Sequence, residues 1–465
     1  MIGSGPGGYA AALTAARRGL RVGLIEREQV GGVCLNVGCI PTKALLSVSG
    51  FVRRLKRAGE LGVTVRGYEV DYAAVRARAE RIVADLRRGL TDLLRREGVE
   101  LVAGSAAFEQ PRRLLITRDG RQQPLEVERV VVATGARPLA GPWTFDERRI
   151  LSYRGLLALT SLPESLLVVG GGVIGCEFAS CFSAFGTRVT IVEQQPQLLS
   201  TEDPDAVRWL TRQLEADGVT VHAGTTVERL AASASDVQAT LSDGTSLRAT
   251  YAVIAIGQRP NLDALQLRAA SIASSEGGIT VDALLRTSQP HIAAIGDCLE
   301  RHGLAHWASA EGAMAVRGLL GDPPETLDPL EVPRCIFTEP EIAHVGPVAA
   351  QAGDQLRLSR FAFGALGKSH CDGETEGWVK LLVDRSTDRV RGATIVGAQA
   401  STLIHHAVLA IHQGLTARQL ARTITAHPTL PEAISEAAAH LYGESLALAA
   451  RPSTGAARHA GRSGE

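Results

Sequence analysis

The sequence has no excess of either charge, with 49 Lys and Arg against 49 Asp and Glu. That balance provides no basic field for nucleic acid and no acidic solvating tract, and leaves small molecules or other proteins as partners. Long apolar runs are also missing. No uninterrupted run reaches the roughly 20 residues of a membrane-spanning helix, and no charged segment followed by an apolar one opens the chain, so a cytoplasmic protein is expected. Cysteine is sparse, at 7 in 465 residues, an odd number without a secretory leader. Such usage does not describe a structural disulfide framework, so any disulfide here is expected to be chemical rather than architectural. The length exceeds one ordinary core, and about three or four compact units are expected.

Glycine, by contrast, is patterned. Gly3-Ser4-Gly5-Pro6-Gly7-Gly8 has the G-x-G-x-x-G spacing and leads into an alanine-rich helical stretch, Tyr9 to Arg18, then a strand from Arg21 to Ile25 with Glu26 at its end. Gly3, Gly5 and Gly8 permit the tight turn and the approach of a pyrophosphate, the helix N-terminus offers free N–H groups, and the acid suits a ribose hydroxyl. One such fingerprint is weak evidence, because glycine-rich turns also arise from packing. The spacing returns, however, at Gly170, Gly172 and Gly175 after the apolar strand Leu166 to Val169, and Glu193 follows Gly175 by the same 18 positions that separate Glu26 from Gly8. Two copies of a βαβ unit, each with its acid, predict two dinucleotide sites and an α/β chain with two Rossmann-like domains.

Two further segments echo each other. Val130 to Pro138, containing Thr134 and Gly135, and Val253 to Pro260, containing Gly257, are apolar runs ended by glycine and a proline turn. They are expected to be the last strand of each nucleotide domain. Asp203 to Gly218 reads as an amphipathic helix with Asp203 as N-cap and Pro204 in the first turn, followed by a strand from Val219 to His222. Beyond about Val332 the pattern changes. Strands in Phe361 to Asp384 and Val390 to Val396, with helices at Ala400 to Gly414 and Pro431 to Leu441, predict a separate α+β domain. Arg451 to Glu465, rich in Ala, Gly, Ser and Arg, reads as a disordered tail.

Cys34 and Cys39 lie in Gly31-Gly32-Val33-Cys34-Leu35-Asn36-Val37-Gly38-Cys39-Ile40-Pro41-Thr42-Lys43. The glycines allow an irregular helix start, whose free N–H groups favour a thiolate fit for disulfide exchange. Two buried small hydrophobes are the bland alternative. That alternative suits Cys176 and Cys181, which share the spacing inside a continuous helix. Zinc has no matching second pair of ligands in this half of the chain, and no metal is expected. His427-Pro428-Thr429-Leu430-Pro431-Glu432 admits two readings. Thr429 and Glu432 fit a capping box before a helix, whereas His427 and Glu432 fit a base held by a carboxylate, as thiol exchange near neutrality requires.

Together these motifs resemble the class I pyridine nucleotide-disulfide oxidoreductase family, from Ile2 to about Leu441, with a near-complete and highly specific Gly-Gly-x-Cys-Leu-Asn-Val-Gly-Cys-Ile-Pro-x-Lys pattern. The resemblance implies an FAD-binding domain carrying the cysteine pair (1–142), an NAD-binding domain (143–262), a return segment completing the FAD domain (263–331) and a dimerisation domain (332–449), with 450–465 as tail. It implies that Cys34 is the interchange thiol, that Cys39 faces the flavin, and that Lys43 sits near the flavin ring paired with Glu177. Thr287 to Asp297 is similar to the second FAD motif, whose aspartate binds the ribityl chain. His427 and Glu432 would come from the partner subunit of an obligate homodimer. The implied reaction is oxidation of dihydrolipoyl groups on a lipoyl-bearing protein of a 2-oxo acid dehydrogenase or glycine-cleavage complex, with reduction of NAD. Glu193, followed by Gln194 and Gln195, favours NAD over NADP because a carboxylate repels a 2′-phosphate.

Other branches match less well. Mercuric reductases end in a cysteine pair that is missing here, Glu193 argues against glutathione reductase, and the presence of both cysteines argues against soluble transhydrogenase. A different disulfide substrate and an inactive nucleotide-binding docking subunit are the alternatives. Three positions depart from the family pattern: Trp307 where Lys is common, Glu339 where His is common, and Lys368 where Arg is frequent. Only Met1 and Ile2 precede Gly3, although a central parallel strand usually has about five or six residues. A truncated or wrongly chosen start is expected, with weakened flavin binding if the chain truly begins at Met1.

Overall fold

In a computed structural model the described residues are 1–300, 303–324, 326–351 and 353–449. The expected tail at 450–465 lies outside them. By contact density the chain forms two compact units, one of Met1–Thr201, Val207–Asp328 and Phe337–Glu339, the other of Glu202–Ala206, Pro329–Ile336 and the residues from Pro340 onward.

The first unit contains two parallel sheets, built where short apolar runs are bounded by glycine turns. One has the order Glu100–Ala103, Gly23–Glu26, Ile2, Val130–Val132, Ile292–Ala294, with Ile2 bridging in parallel to both Ile25 and Val132. Its central strand is short but fully laddered. Ile2 N donates to Val131 O at 2.9 Å, Gly3 N to Ile25 O at 2.8 Å, and the Met1 ammonium to Gly23 O at 2.7 Å. Burial of that ammonium pulls its pKa down to about 6. The helices Pro6–Arg17 and Ala305–Leu320 pack against each other, and Ala11, Ala12 and Ala15 of the first are buried in the core of this sheet.

The second parallel sheet has the order Thr220–Ala223, Arg188–Glu193, Ser165–Val169, Tyr251–Ile254, Ile150–Leu151. Each parallel sheet is accompanied by a three-stranded antiparallel meander, Ser105–Gln110 through Arg121–Glu126 in the first and Val227–Ala232 through Ser246–Ala249 in the second. The internal repeat thus extends beyond the fingerprints. Neither Val130–Val132 nor Tyr251–Ile254 is an edge strand, and the glycine–proline ends of the two echoed segments pair with each other, Ala136–Pro138 antiparallel to Gln258–Pro260.

Gly32–Lys56 is a helical stretch long and apolar enough by length and composition to span a membrane, yet its most apolar part is half buried inside the protein. Gly38 divides it into two helices, and the second, Cys39–Lys56, packs against Tyr72–Arg96 and Val173–Ala184, as a core helix does.

The second unit is an antiparallel five-stranded sheet, ordered Arg334–Ile336, Ile342–Val345, Val390–Gly397, Gly377–Asp384, Leu356–Ala362, with the helices Ala400–His412 and Glu432–His440 contributing to its core. Buried Lys380 donates to Asp203 at 2.7 and 2.9 Å and to Asp205 at 2.9 Å, so its charge is compensated inside the fold. Asp203 also accepts from Asp205 N at 2.9 Å, beside the start of the helix Pro204–Ala216.

Candidate active site

The two fingerprints have the same construction. Gly3 and Gly170 have φ of +97° and +107°, which only glycine adopts without strain. A Cβ on Gly8 would lie 1.9 Å from Gly3 O, and one on Gly175 would lie 2.0 Å from Gly170 O, so helix and turn touch backbone to backbone. Gly5 and Gly172 differ in kind. A Cβ on either meets nothing within 4 Å, and both sit at helix N-termini that no side chain caps. Uncapped N–H groups beside open space are the setting a pyrophosphate needs.

The acids close each motif in register. Glu26 accepts from Ser4 N at 3.0 Å, Ser4 Oγ at 2.6 Å and Glu28 N at 2.8 Å, while Glu193 accepts from Gly171 N at 2.6 Å and Gln195 N at 2.7 Å. Both acids therefore brace their own turns. Two polar groups near the first sheet are poised for a ligand: Thr134 Oγ1 is buried without a hydrogen-bond partner among the described residues, and burial raises the pKa of the Asp297 carboxyl. Gly135 and Gly257 both have positive φ, +64° and +130°. These residues fit one dinucleotide at each fingerprint, with Thr134 and Asp297 as polar groups that could hold the first.

Cys34 lies within the helix Gly32–Val37, and Cys39 is the first residue of the helix Cys39–Lys56; both thiols are free. The two thiols act on each other in opposite directions. Cys34 is held protonated chiefly because its thiol hydrogen-bonds to Cys39, with burial adding to the effect. Cys39 falls to about 7 because it receives that bond, against the opposing effect of burial, and because Lys43 lies nearby. An uncapped helix N-terminus favours the same thiolate. Cys176 and Cys181 are fully buried in the helix Val173–Ala184, and burial raises both thiols.

Lys43 Nζ donates to both oxygens of Glu177, at 2.9 and 2.7 Å, and lies 4.7 Å above the centre of the Phe337 ring, while Phe337 N donates to Glu177 Oε1 at 3.0 Å. Sequence reasoning did not single out Phe337, since nothing in its neighbourhood marks it. Asn36 likewise had no assigned task. Its amide bonds Gly32 O at 2.9 Å and Val30 O at 3.1 Å, and its oxygen accepts from Arg87 at 3.2 Å, which ties the cysteine loop to the helix Tyr72–Arg96.

In the second unit His427 Nδ1 meets Glu432 Oε1 at 2.8 Å, leaving an exposed imidazole. The other Glu432 oxygen accepts from Thr429 N at 2.7 Å. Burial works against ionisation of Glu432, but the Thr429 and His427 bonds outweigh it and hold its pKa below the usual range. The capping box is only half made. The Thr429 hydroxyl donates to Ala426 O at 2.7 Å, and the helix Glu432–His440 has no side-chain cap. Glu432 is thus committed to His427 and one backbone N–H. Of the departing residues, Trp307 is buried in its helix, Lys368 pairs with Asp372 at 2.7 Å, and the Glu339 backbone N–H donates to Ser180 Oγ at 3.3 Å.

Comparison with known proteins agrees with this arrangement. Residues 1–312 match the pyridine nucleotide-disulphide oxidoreductase family, and residues 332–438 match the dimerisation domain of the same family. The chain is 39% identical to a dihydrolipoyl dehydrogenase of Chlorobaculum tepidum, over 94% of this chain and 95% of that one. It is 37% identical to a dihydrolipoyl dehydrogenase of Bacillus subtilis, over 94% and 97%. The crystal structure of LpdA from Mycobacterium tuberculosis superposes with a TM-score of 0.89 at 31% identity, covering 95% of this chain and 98% of that chain. With paired fingerprints, a two-thiol relay at a helix start and both family domains in order, the chain belongs to the pyridine nucleotide-disulphide oxidoreductase family.

Proposed function

We propose that this protein is a dihydrolipoyl dehydrogenase, which oxidises dihydrolipoyl groups to the disulfide and reduces NAD to NADH, with FAD between them. The observation that carries the reading is the Cys34–Cys39 pair at the start of the helix Cys39–Lys56, with Lys43 one turn on and held by Glu177. The dihydrolipoyl dehydrogenases aligned over nearly the whole chain supply the substrate class.

In the oxidised protein Cys34 and Cys39 share a disulfide. His427, oriented through Nδ1 by Glu432, removes a proton from a substrate thiol. The resulting thiolate attacks the Cys34 sulfur, forming a mixed disulfide and releasing Cys39 as a thiolate that Lys43 and the helix start stabilise. The second substrate thiol, deprotonated in turn, closes the substrate disulfide and expels Cys34, which takes up a proton. Bound FAD would supply the two-electron acceptor between the dithiol and NAD, so that Cys34 and Cys39 return to the disulfide with loss of their remaining proton. Gly5, Thr134 and Asp297 would hold FAD, while Gly172, Glu193 and Gly257 would hold NAD. The dimerisation domain supports a homodimer; in this reading His427 acts on the partner's cysteine pair, and the substrate is a lipoyl-bearing protein.

The test is NADH formation from dihydrolipoamide by the FAD-loaded protein, with NADP as the comparison. Turnover with NAD should exceed that with NADP, because Glu193 repels a 2′-phosphate, and should vanish in Cys39→Ser while FAD stays bound. Full activity in Cys39→Ser would end the relay; an FAD-loaded protein inert toward dihydrolipoamide would point to another disulfide substrate.

A further inference from the structure

We propose that Phe337 is a positioning residue for the redox pair: its ring and its backbone N–H fix the Lys43 ammonium against Glu177 and so govern the electrostatic setting of Cys39. The inference deepens the proposed function and rests on its reading of Cys39 as the thiolate of the relay.

Lys43 follows Cys39 by four positions on the helix Cys39–Lys56, so the two side chains share a face. Its ammonium is held from two sides. Glu177, only 3% exposed, takes both short bonds, and the Phe337 ring lies 4.7 Å away, within the roughly 6 Å over which an aromatic face attracts a cation. Lys43 favours the Cys39 thiolate and Glu177 disfavours it, so the resting place of the ammonium between them matters to the thiol.

The attachment of Phe337 is itself specific. Phe337–Glu339 belongs to the first compact unit although the strands flanking it, Arg334–Ile336 and Ile342–Val345, belong to the second. It is clipped to the helix Val173–Ala184 by two backbone donors, Phe337 N to Glu177 and Glu339 N to Ser180 Oγ, whose acceptors lie three residues apart on that helix, with Thr338 between the donors 2% exposed. The ring itself is half-buried.

The experiment titrates Cys39 alone. In the FAD-loaded Cys34→Ser protein, where the serine hydroxyl can still donate to Cys39, the ultraviolet thiolate signal is followed with pH and corrected with the Cys34→Ser/Cys39→Ser protein. Adding Phe337→Leu, which keeps the backbone donor and removes the ring, should raise the Cys39 midpoint by about half a unit, and Phe337→Tyr should restore it. In a Lys43→Met background the same Phe337→Leu change should add nothing, because its effect passes through the ammonium. Phe337→Met repeats the test at similar volume should the leucine variant lose FAD. An unmoved midpoint in a folded, FAD-loaded variant, or an equal shift that persists without Lys43, overturns the proposal. No substrate enters the titration, so a parent protein inert toward dihydrolipoamide would sink the functional reading and leave this one standing, whereas an unmoved midpoint with full turnover would do the reverse.

Discussion

Replacing Gly172 with alanine should separate nucleotide binding from folding. Gly172 has φ −74° and ψ −173°, a conformation alanine adopts freely, and its Cβ would meet nothing within 4 Å. The stability cost is that of alanine for glycine at an N-cap, about 1 kcal/mol or less. The methyl group, however, stands beside the uncapped N–H groups of the helix Val173–Ala184, where the NAD pyrophosphate is expected. Losing one charge-assisted hydrogen bond there costs about 1.5–3 kcal/mol, or roughly 10- to 100-fold in affinity. Gly175→Ala is the contrast: its Cβ would sit 2.0 Å from Gly170 O and 3.1 Å from Val168 Cγ1, so helix and strand must part, and overpacking of that kind costs about 1–3 kcal/mol or more. Calorimetric titration of FAD-loaded protein with NAD, beside thermal unfolding, reads both effects. Unchanged NAD affinity in Gly172→Ala, or a loss of FAD as large as the loss of NAD, would refute the assignment of this fingerprint to NAD.

His344 is buried between Thr394 Oγ1 at 3.0 Å and Gly346 O at 2.6 Å, and burial, helped by Arg334, lowers its pKa to about 4 against the Gly346 bond and Asp203. Its neutral form is favoured by folding, so the contribution is complete above the unfolded value of 6.5 and is lost as pH falls from there to about 4, a total of about 3 kcal/mol. Urea unfolding across that range should show a shallower acid loss in His344→Gln, and identical slopes would dispose of the idea. Glu432→Gln should lower kcat by about 10- to 100-fold by leaving the imidazole without its carboxylate, with FAD content unchanged; undiminished kcat would remove Glu432 from the mechanism. Mixing inactive Cys39→Ser and His427→Gln proteins under subunit exchange should restore about a quarter of full activity, since a mixed dimer then holds one intact site if the histidine acts across the twofold. No recovery after confirmed exchange would place both groups in one chain.

Much of this protein is written in local spacing. The fingerprints, their acids and the cysteine pair were legible because each depends on how few residues separate its parts: a glycine every few positions shapes a turn, and an acid 18 residues on returns at the end of the next strand. The long helix Tyr72–Arg96 and the meander strand Arg121–Glu126 were not read: the first is amphipathic but buries only Tyr72, Ala79, Val83 and Leu94 fully, so its apolar face is thin, and the second is exposed throughout and has no apolar period. The capping box at Thr429 fits the spacing, yet the hydroxyl found Ala426 instead.

Sequence by itself thus determined that two dinucleotide turns and a reactive thiol pair exist, since these are properties of short stretches of backbone. Only the tertiary structure decided which distant groups meet: Lys43 with Glu177, 134 positions away, Phe337 N–H with that same carboxylate, 160 positions away, and Lys380 with Asp203, 177 positions away. Apart from family resemblance for the first of these, no local pattern could announce them. Each is a buried or half-buried charge whose partner is chosen by the packing of helices and strands, and it is desolvation, felt only once the chain has closed around the pair, that makes the meeting compulsory.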